Sequence, residues 1–392
     1  MAFRIVITCS LLWLATMACA DSRKPAPTAE FEIAPAGDFV MLPVVIRQRE
    51  YRFLVCTALW ATTIDERLAD QLELPEMTEL PAQPTGGHSG KVRRRLEARI
   101  GPHPVSFGEG VETAQYDAMR QGLDLEIDGE LGLDFLRRHI VQIDFDAGTL
   151  RLYSRLPSGV GEMVKIVHPG QEHAHPVVQL AIPGEKPQKF FISTGLGGSS
   201  LELENKLFAT LQEKGKATVL LKEKAFSRAG TRALETVRLD AIQLGSFRQQ
   251  QVIGNIGERN YLGLSFLSRF LVTIDFPNGR MYLKKGARFD EADVPLELWD
   301  VAFDHDSRTP LVASVSPGGP VARLGLRPGD RLETLNDRPA GRWSHWYLRR
   351  TLGRIDVPLT VDITRGTERL QLSRPAFDRQ AIPREKNALP AE

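Results

Sequence analysis

The feature of this sequence that most constrains its fold is an internal repeat. Three segments occur twice: an apolar strand with a small-residue turn, an apolar hexapeptide built around glycine, and a pair of strands. They lie at 53–68 and 190–204, at 131–136 and 262–267, and at 141–153 and 272–283. The last two matches share one spacing of 131 residues. We therefore predict a duplicated domain with copies at 31–155 and 165–286.

Within each copy the apolar runs are short, rich in Val, Ile, Phe and Leu, and separated by Gly, Pro and Asn, which predicts β-strands joined by turns. Residues 146–148 (DAG) and 277–279 (PNG) predict hairpin turns with a glycine free to adopt positive φ. Helix is expected only near 65–73, where Asp65 is an N-cap, and near 201–213. Each copy is thus predicted to be a small, mainly β, barrel-like unit.

The segment 296–375 has a different pattern, in which short strands alternate with Gly-Pro turns. Two short helices are predicted, at 321–324 and 344–352, followed by strands at 359–364 and 368–372. The last residues, 376–392, form a polar tail.

The N-terminus predicts export. Arg4 precedes an uncharged run from Ile5 to Met17 and the small residues Ala18-Cys19-Ala20, which is the layout of a secretory signal in residues 1–20. Two processing routes fit: cleavage after Ala20, or lipid attachment at Cys19. Residues 21–30 then form a linker. Export places the protein in the periplasm or cell envelope.

Charge, hydropathy and cysteine content limit the partners that we expect for this chain. Without Arg4 the chain has 49 basic and 49 acidic residues, which gives no reason to expect nucleic acid as a partner. The uncharged N-terminal run is too short for a comfortable transmembrane helix, and we expect no span in the mature chain. Cys9 and Cys19 belong to the signal, so Cys56 has no disulfide partner.

The paired motifs of the two copies carry a family resemblance. Each copy has an apolar strand ending in a short loop, a glycine-bearing hairpin, and an apolar-apolar-Gly turn. These lie at 55–58 and 192–195, at 86–90 and 227–230, and at 131–132 and 262–263. In this pattern each copy resembles a retropepsin-like aspartic protease lobe, and the segment 296–375 resembles a bacterial PDZ domain. The resemblance implies a mainly β fold: two acid-protease-like β-barrel lobes in tandem, as in pepsin, plus a C-terminal PDZ domain.

The resemblance also implies where catalytic residues would stand. Each lobe of the family contributes an Asp from an Asp-Thr-Gly loop, and the two carboxylates share one proton. Here Cys56 and Ser193 occupy those two positions, in the loops Cys56-Thr57-Ala58 and Ser193-Thr194-Gly195. Both catalytic carboxylates are missing. Ala58 in place of glycine also suggests a relaxed first loop. By the same resemblance Gly87, His88 and Gly230 belong to the flaps.

Three alternatives would give the chain a catalytic or metal-binding site. Cys56 would be a nucleophile if a base such as His88 lowered its pKa. An unrecognised carboxylate would restore an aspartic endopeptidase, with the nearby acids as candidates, although each has a helix-start role of its own. His173 and His175 would bind a metal if other ligands joined them, but no cluster completes a site and exposed strand histidines are expected. The acids considered are Asp65, Glu66, Glu202 and Glu204.

The PDZ resemblance implies a peptide groove. Members of that family take an extended peptide as an added strand and hold its terminal carboxylate on backbone N–H groups. The resemblance places the carboxylate loop before the groove strand 312–315, with Trp346 in the helix opposite. Pro310 offers no N–H, which predicts weak carboxylate capture. The alternative is a domain that only packs on the second lobe. The loop and the first groove residue are Arg308, Thr309, Pro310, Leu311 and Val312.

These observations favour a catalytically inactive protein that binds a peptide or protein ligand in the cell envelope, through the cleft between the lobes, the PDZ groove or both. An active peptidase is the alternative. We expect no cofactor and no metal. We expect a monomer, because one chain already contains both lobes.

Overall fold

The computed structural model describes most of the chain outside the N- and C-terminal ends. The described residues are 25–34, 39–77, 91–105, 107, 110–123, 125–166, 175–227, 230–291, 293, 301–304, 309–343, 345–354 and 357–376. Strands outnumber helices throughout, and the predicted mainly β class is confirmed. The predicted signal segment with Cys19, and the predicted flap residues Gly87 and His88, lie outside the described residues.

The first repeat copy consists of short strands with three short helices. Its strands are β1 (Ala29–Glu32), β2 (Met41–Ile46), β3 (Arg49–Val55), β4 (Thr63–Asp65), β5 (Val92–Arg94), β6 (Ala98–Ile100), β7 (His103–Val105), β8 (Gly110–Ala114), β9 (Gly129–Leu131), β10 (Ile140–Asp144) and β11 (Thr149–Tyr153). Its helices are α1 (Glu66–Gln71), α2 (Asp117–Leu123) and α3 (Leu133–Leu136). Asp65 caps α1 as predicted, accepting a hydrogen bond from the Arg67 amide at 3.1 Å. The helix α2 was not expected from the sequence.

The second copy follows the same order with a longer hairpin. Its strands are β12 (Glu162–Lys165), β13 (Val177–Leu180), β14 (Gln188–Ile192), β15 (Leu201–Glu204), β16 (Ala217–Ser227), β17 (Gly230–Leu244), β18 (Phe247–Gly257), β19 (Tyr261–Leu262), β20 (Phe270–Asp275) and β21 (Arg280–Lys285). Its helices are α4 (Asn205–Glu213) and α5 (Leu264–Leu267). The helix predicted from residue 201 thus begins at Asn205, because 201–204 pairs as a strand with β18.

The two copies share one six-stranded sheet with the order β1-β11-β10-β20-β21-β12. At its centre β10 and β20 run antiparallel, and Gln142 stands opposite Thr273. The Gln142 side-chain amide donates to the Thr273 hydroxyl at 3.0 Å, inside the protein. These two residues are 131 positions apart, which is the repeat spacing. The repeat therefore pairs with itself about a local twofold axis at this point.

Each copy also has a sheet of its own, eight-stranded in the first and seven-stranded in the second. Both sheets contain the same parallel pairs: β3 beside β9, and β14 beside β19. These strands end immediately before the loops at Cys56 and Ser193 and before the Leu-Gly turns. One apolar core runs through both copies. The predicted hairpin glycines Gly148 and Gly279 have φ of 67° and 60°.

The C-terminal unit has a core of its own. Its elements are β22 (Val301–Phe303), β23 (Val312–Val315), α6 (Pro320–Leu324), β24 (Arg331–Leu335), β25 (Arg338–Pro339), α7 (His345–Gly353), β26 (Leu359–Arg365) and β27 (Glu368–Arg374). The two predicted helices and the two final strands are confirmed within a few residues. An ion pair of 3.2 Å between Glu291 and Arg354 joins this unit to the end of the second copy. Among the described residues, no helix has the length and apolar character needed to cross a membrane.

Candidate functional site

The loops after β3 and β14 meet at the local twofold axis and are joined by their threonines. The Thr57 amide donates to the Thr194 hydroxyl, and the Thr194 amide donates to the Thr57 hydroxyl, both at 3.1 Å. Each hydroxyl in turn donates to a backbone carbonyl of the opposite copy, Ile192 at 2.7 Å and Val55 at 2.5 Å. Thr57 and Thr194 are almost completely buried. Four reciprocal hydrogen bonds therefore lock one loop to the other.

The Leu-Gly turns support these loops, as the repeat predicts. The Cys56 amide donates to the Leu131 carbonyl at 3.0 Å, and the Ser193 amide donates to the Leu262 carbonyl at 2.9 Å. Because β3 and β9 run parallel, and β14 and β19 likewise, each loop begins where its supporting turn begins. The two copies thus hold Cys56 and Ser193 in equivalent backbone positions.

Cys56 lies close to Gly195 of the loop that faces it. A β-carbon placed on Gly195 would fall 2.9 Å from the Cys56 sulfur and 4.0 Å from the Ser193 hydroxyl. Any side chain at Gly195 would therefore collide with Cys56. Both side chains are buried, with 8% of Cys56 and 5% of Ser193 exposed. A thiol and a hydroxyl thus occupy the place where the two loops meet, and neither is a carboxylate.

The first loop is not relaxed, contrary to the expectation from Ala58. Thr57 makes the same kinds of hydrogen bond as Thr194, at similar distances. Ala58 is half-buried and has no positive φ, so an ordinary L-residue fits the backbone there. Contacts across the axis, which involve position 57, determine the shape of this loop.

The acids considered as replacements have partners of their own. Asp65 caps α1 and forms an ion pair with Arg120. Glu202 pairs with Arg232 at 2.9 Å. Burial raises the pKa of Glu202, and the charge of Arg232 opposes that rise. Glu66 accepts from the Gln115 amide at 3.2 Å. Asp65, Glu66 and Glu202 are therefore committed to structural contacts. Glu204 is the N-cap residue of α4, and its amide donates to the side-chain oxygen of Asn260 at 2.9 Å.

One further carboxylate, Asp134, lies near the first loop and was not singled out from the sequence. It accepts from the Thr62 amide at 2.9 Å, from the Thr62 hydroxyl at 2.6 Å, and from its neighbour Phe135 at 2.8 Å. Burial raises its pKa, and the hydrogen bonds from Thr62 oppose that rise. The second copy has Ser265 at this position. Asp134 thus fastens the segment after the loop, through its bonds with Thr62.

The segment expected to form the second flap is a long hairpin. β16 and β17 pair from Ala217–Leu239 to Ser227–Gly230, and Gly230 has a φ of 99° beside the turn. This is where the repeat pattern places a flap glycine. The helix α2 of the first copy contacts both strands of this hairpin. The two copies therefore touch at a second place, away from the threonine loops.

His175 also lies at the first loop, and its environment differs from the expectation. It precedes β13 and is half-buried, so it is not an exposed strand histidine. Burial lowers its pKa, followed by the charges of Arg259 and Arg137, while a hydrogen bond with the Thr57 backbone raises it. His173 lies outside the described residues. Among the part of the chain that is described, no group of three metal-binding side chains forms.

In the C-terminal unit the strand pairing differs from the expected groove. β23 pairs with β22 on one side. On its other side the Val312 amide donates to the Asp330 carbonyl at 2.8 Å, and Leu311 bridges to Arg331. The start of β23 is therefore an inner position, which leaves no room there for an added strand. Instead α7 packs against β22, with the His345 and Phe303 rings 5.0 Å apart. The side chains of Arg308 and Trp346 lie outside what the structure describes.

Comparison with known proteins gives a partial likeness to a solved structure. No protein-family model matches the chain, and no curated protein matches it. Among solved structures, the chain is similar to a retropepsin-like aspartic protease from Rickettsia conorii. The likeness has 17% sequence identity and a TM-score of 0.23, over 31% of this chain and 87% of that protein. The chain is mainly β and shares this partial likeness, which carries no statement about activity.

Proposed function

We propose that this chain is an exported protein with two retropepsin-like lobes and a C-terminal PDZ domain, and that it binds peptide or protein segments without cleaving them. One observation carries the proposal. The buried hydrogen bonds of Thr57 and Thr194 keep the paired-loop frame, although Cys56 and Ser193 replace the two aspartates of the family. The two loops keep their paired arrangement without the catalytic acids. This favours a function of the cleft that depends on its shape, such as binding, over one that depends on proton transfer.

The chemistry of the family needs two carboxylates that share a proton, one to activate water and one to support the carbonyl oxygen. The Ser193 hydroxyl can donate and accept hydrogen bonds, but it does not act as a base at neutral pH. The Cys56 side chain is a thiol and therefore does not supply a carboxylate. The carboxylate oxygens of Asp134 already accept hydrogen bonds from backbone amides and from the Thr62 hydroxyl. Binding is therefore a better use of these loops than aspartic-type hydrolysis.

We place the second binding surface of this proposal between β22 and α7. Among the described residues β22 has a strand partner on one edge only, β23. The helix α7 contacts β22, and an extended peptide would add to the other edge of this strand as a further strand. This moves the groove from the Val312 side, where backbone bonds to Asp330 and Arg331 are already made. Packing of this unit on the second lobe is the competing use.

The cellular setting is also part of the proposal. Residues 1–20 would direct export to the periplasm or cell envelope, with either cleavage after Ala20 or a lipid at Cys19, and the mature chain would be a monomer. Intact-mass measurement of the chain recovered from membranes and from the periplasm distinguishes the two routes, because a lipid adds mass at a new N-terminal cysteine.

The test uses the mature chain, residues 21–392, with a mixture of unfolded proteins between about pH 3 and about pH 8, the span in which carboxylate dyads titrate. New amino termini are read by mass spectrometry, and retained segments are identified by crosslinking. We expect crosslinked segments and no new termini. Cys56→Ala is the matched variant, since it removes the thiol and leaves the loop backbone unchanged.

Three results would overturn the proposal. Cleavage by the native chain that disappears in Cys56→Ala would assign the chemistry to that thiol. Cleavage that persists in Cys56→Ala would point to an acid elsewhere. Absence of both crosslinks and cleavage would contradict both peptide binding and peptide cleavage by the cleft.

A further inference from the structure

The six-stranded sheet that the two copies share ends at β12, which has a strand partner on one side only. β12 pairs antiparallel with β21, and among the described residues no strand pairs with its other edge. An unpaired edge presents backbone N–H and C=O groups that a further extended chain is able to pair with. β12 belongs to neither of the sheets that carry the loops at Cys56 and Ser193, so this edge is separate from the cleft.

The side chains of β12 alternate between the two faces of the sheet. Val164 is buried in the shared core, and Glu162, on the same face, accepts hydrogen bonds from the amide and the hydroxyl of Ser246. Met163 and Lys165 therefore lie on the opposite face, here called the outer face. Met163 is 55% exposed there. A single exposed apolar side chain is ordinary, so its significance depends on its neighbours.

A basic pair follows Met163 along the outer face. The register of β12 and β21 places Met163 opposite Tyr282, and it places Lys165 opposite Arg280. Lys165 and Arg280 are both exposed, and neither forms an ion pair with a carboxylate in the described part of the chain. One end of the β12 edge is therefore positively charged beside an apolar side chain.

A third cation lies at the other end of β12. Continued by one residue, the same register places Gly161 opposite Lys284, and a β-carbon on Gly161 would fall 2.7 Å from the Cβ of Lys284. Gly161 has a φ of 95° and no side chain, so it leaves Lys284 accessible from the edge. The outer face thus has a basic, an apolar and a basic position along this edge, each two residues from the next.

The carboxylates nearby do not neutralise these cations. Asp275 on β20 stands opposite Arg280, but it is only 2% exposed and both of its oxygens accept hydrogen bonds from the Asn278 side chain, at 3.0 and 2.8 Å. Asp146 accepts from a backbone amide just after β21 at 2.8 Å. Glu162 lies on the other face of the sheet. Three exposed cations therefore stand beside one buried carboxylate, and the edge keeps a positive charge.

We propose that the edge of β12 with Met163, Lys165, Arg280 and Lys284, here called the basic edge, binds an acidic extended segment of a partner protein as a seventh strand. Alternate residues of a strand share a face, so the segment has an acidic, an apolar and an acidic residue at every second position. The apolar side chain contacts Met163, and the two carboxylates lie near the cations on either side. This interaction goes beyond the proposed function, because it uses neither the cleft nor the edge of β22.

The experiment compares two fluorescein-labelled peptides by anisotropy with the mature chain. The first is Ser-Asp-Thr-Leu-Thr-Asp-Ser, in which both acids share a face with the leucine. The second is Ser-Thr-Asp-Leu-Asp-Thr-Ser, which has the same composition and charge but places the acids on the opposite face. We expect the first peptide to bind about 10-fold more tightly, through two cross-strand charge interactions, and to weaken as salt is raised.

Hydrogen exchange tests whether the peptide adds as a strand. An added strand supplies carbonyl acceptors to the amides on the free edge of β12, which slows their exchange. Residues 161–166 should therefore take up deuterium more slowly when the first peptide is bound. The second peptide at the same concentration should protect them less.

Variants assign the preference to the basic edge. Lys165→Gln/Arg280→Gln/Lys284→Gln should bring the two peptides within about twofold of each other, since the charges that distinguish them are gone. Met163→Thr should weaken binding of the first peptide by removing its apolar contact. A second triple variant, in which exposed cations of β6, α4 and β18 are replaced, has the same net charge and should keep the preference; its changes are Arg99→Gln, Lys206→Gln and Arg248→Gln. Circular dichroism confirms that each variant is folded.

Several results would overturn the basic edge. Equal binding of the two peptides by the native chain would do so, as would binding of neither or a preference that survives the first triple variant. Unchanged exchange of 161–166 would exclude an added strand. Slow exchange of 161–166 without peptide, increasing with protein concentration, would assign the edge to a second copy of the chain instead. None of these results bears on binding by the cleft, which the crosslinked segments test separately.

Discussion

The paired threonines allow a quantitative prediction. Thr57→Val keeps the size of the side chain and removes its hydroxyl. Two hydrogen bonds disappear: the one donated to the Ile192 carbonyl at 2.7 Å, and the one accepted from the Thr194 amide at 3.1 Å. Thr194 has no exposed surface, so its amide cannot turn to water instead.

The magnitude follows from these two losses. A buried donor left without an acceptor costs about 1–3 kcal/mol, and the lost donated bond adds about 1 kcal/mol. Thr57→Val should therefore lower the free energy of unfolding by about 2–4 kcal/mol. Thr194→Val should cost a similar amount, because Thr194 makes the equivalent bonds to Thr57 and Val55.

Two measurements check this prediction. Urea unfolding, followed by tryptophan fluorescence, gives the free-energy change; Trp60 stands three residues after Thr57. Hydrogen exchange gives the local effect, because the Thr194 amide should be protected in the native chain and exchange quickly in Thr57→Val. Thr218→Val, at an exposed position on β16, is the matched control and should alter neither reading.

A loss below about 0.5 kcal/mol, which is typical of an ordinary surface substitution, would refute the reasoning. So would a Thr194 amide that remains protected in Thr57→Val. Either result would mean that the loops are not held together by these hydrogen bonds, and that the shape of the frame has another cause.

Three further predictions concern other parts of the two copies. Burial, then the charges of His103 and Arg138, lower the pKa of His139 from 6.5 to about 4. Between these pH values the unfolded chain binds the proton more readily than the folded chain, so His139 makes the free energy of unfolding fall as pH falls from 6.5 toward 4. His139→Gln should flatten this part of the dependence of urea unfolding on pH. An NMR titration of His139 with a midpoint above about 6 would contradict the prediction. Asp293→Ala should lower the free energy of unfolding by about 3–5 kcal/mol in thermal unfolding, because the buried guanidinium of Arg269, paired with Asp293 at 2.6 Å, loses its anion. A loss under about 1 kcal/mol would show that the backbone carbonyls around Arg269 are enough to stabilise its charge. Gly197→Ala would place a methyl group 2.5 Å from the Phe39 ring and should cost about 1–3 kcal/mol, with recovery in Gly197→Ala/Phe39→Leu; no recovery would exclude this contact as the cause.

The repeat made much of the fold predictable. Its spacing of 131 residues is the offset between Gln142 and Thr273, the two side chains bonded across the central sheet. Hairpin glycines and the Asp65 cap were predictable because they depend on neighbours in sequence. The positions of Cys56 and Ser193 at equivalent loops likewise follow from matching one copy to the other.

Contacts between distant segments were not predictable in this way. α2 was missed because its seven residues carry a weak periodic signal, with Met119 and Leu123 spaced as on one helix face. Its packing partners also lie in distant segments of both copies. The inner position of β23 depends on backbone bonds to Asp330 and Arg331. The Arg259 and Arg137 groups around His175 come from both copies, so no local motif could bring them together.

The most direct test of the central claim is to restore the missing acids. The variant Cys56→Asp/Ala58→Gly/Ser193→Asp is incubated with an unfolded protein at about pH 4, beside the native chain, and new amino termini are counted by mass spectrometry. If the native loops are a protease-like frame without its carboxylates, the variant releases new termini and the native chain releases none. Cleavage by the native chain, or a folded variant that never cleaves, would contradict the account.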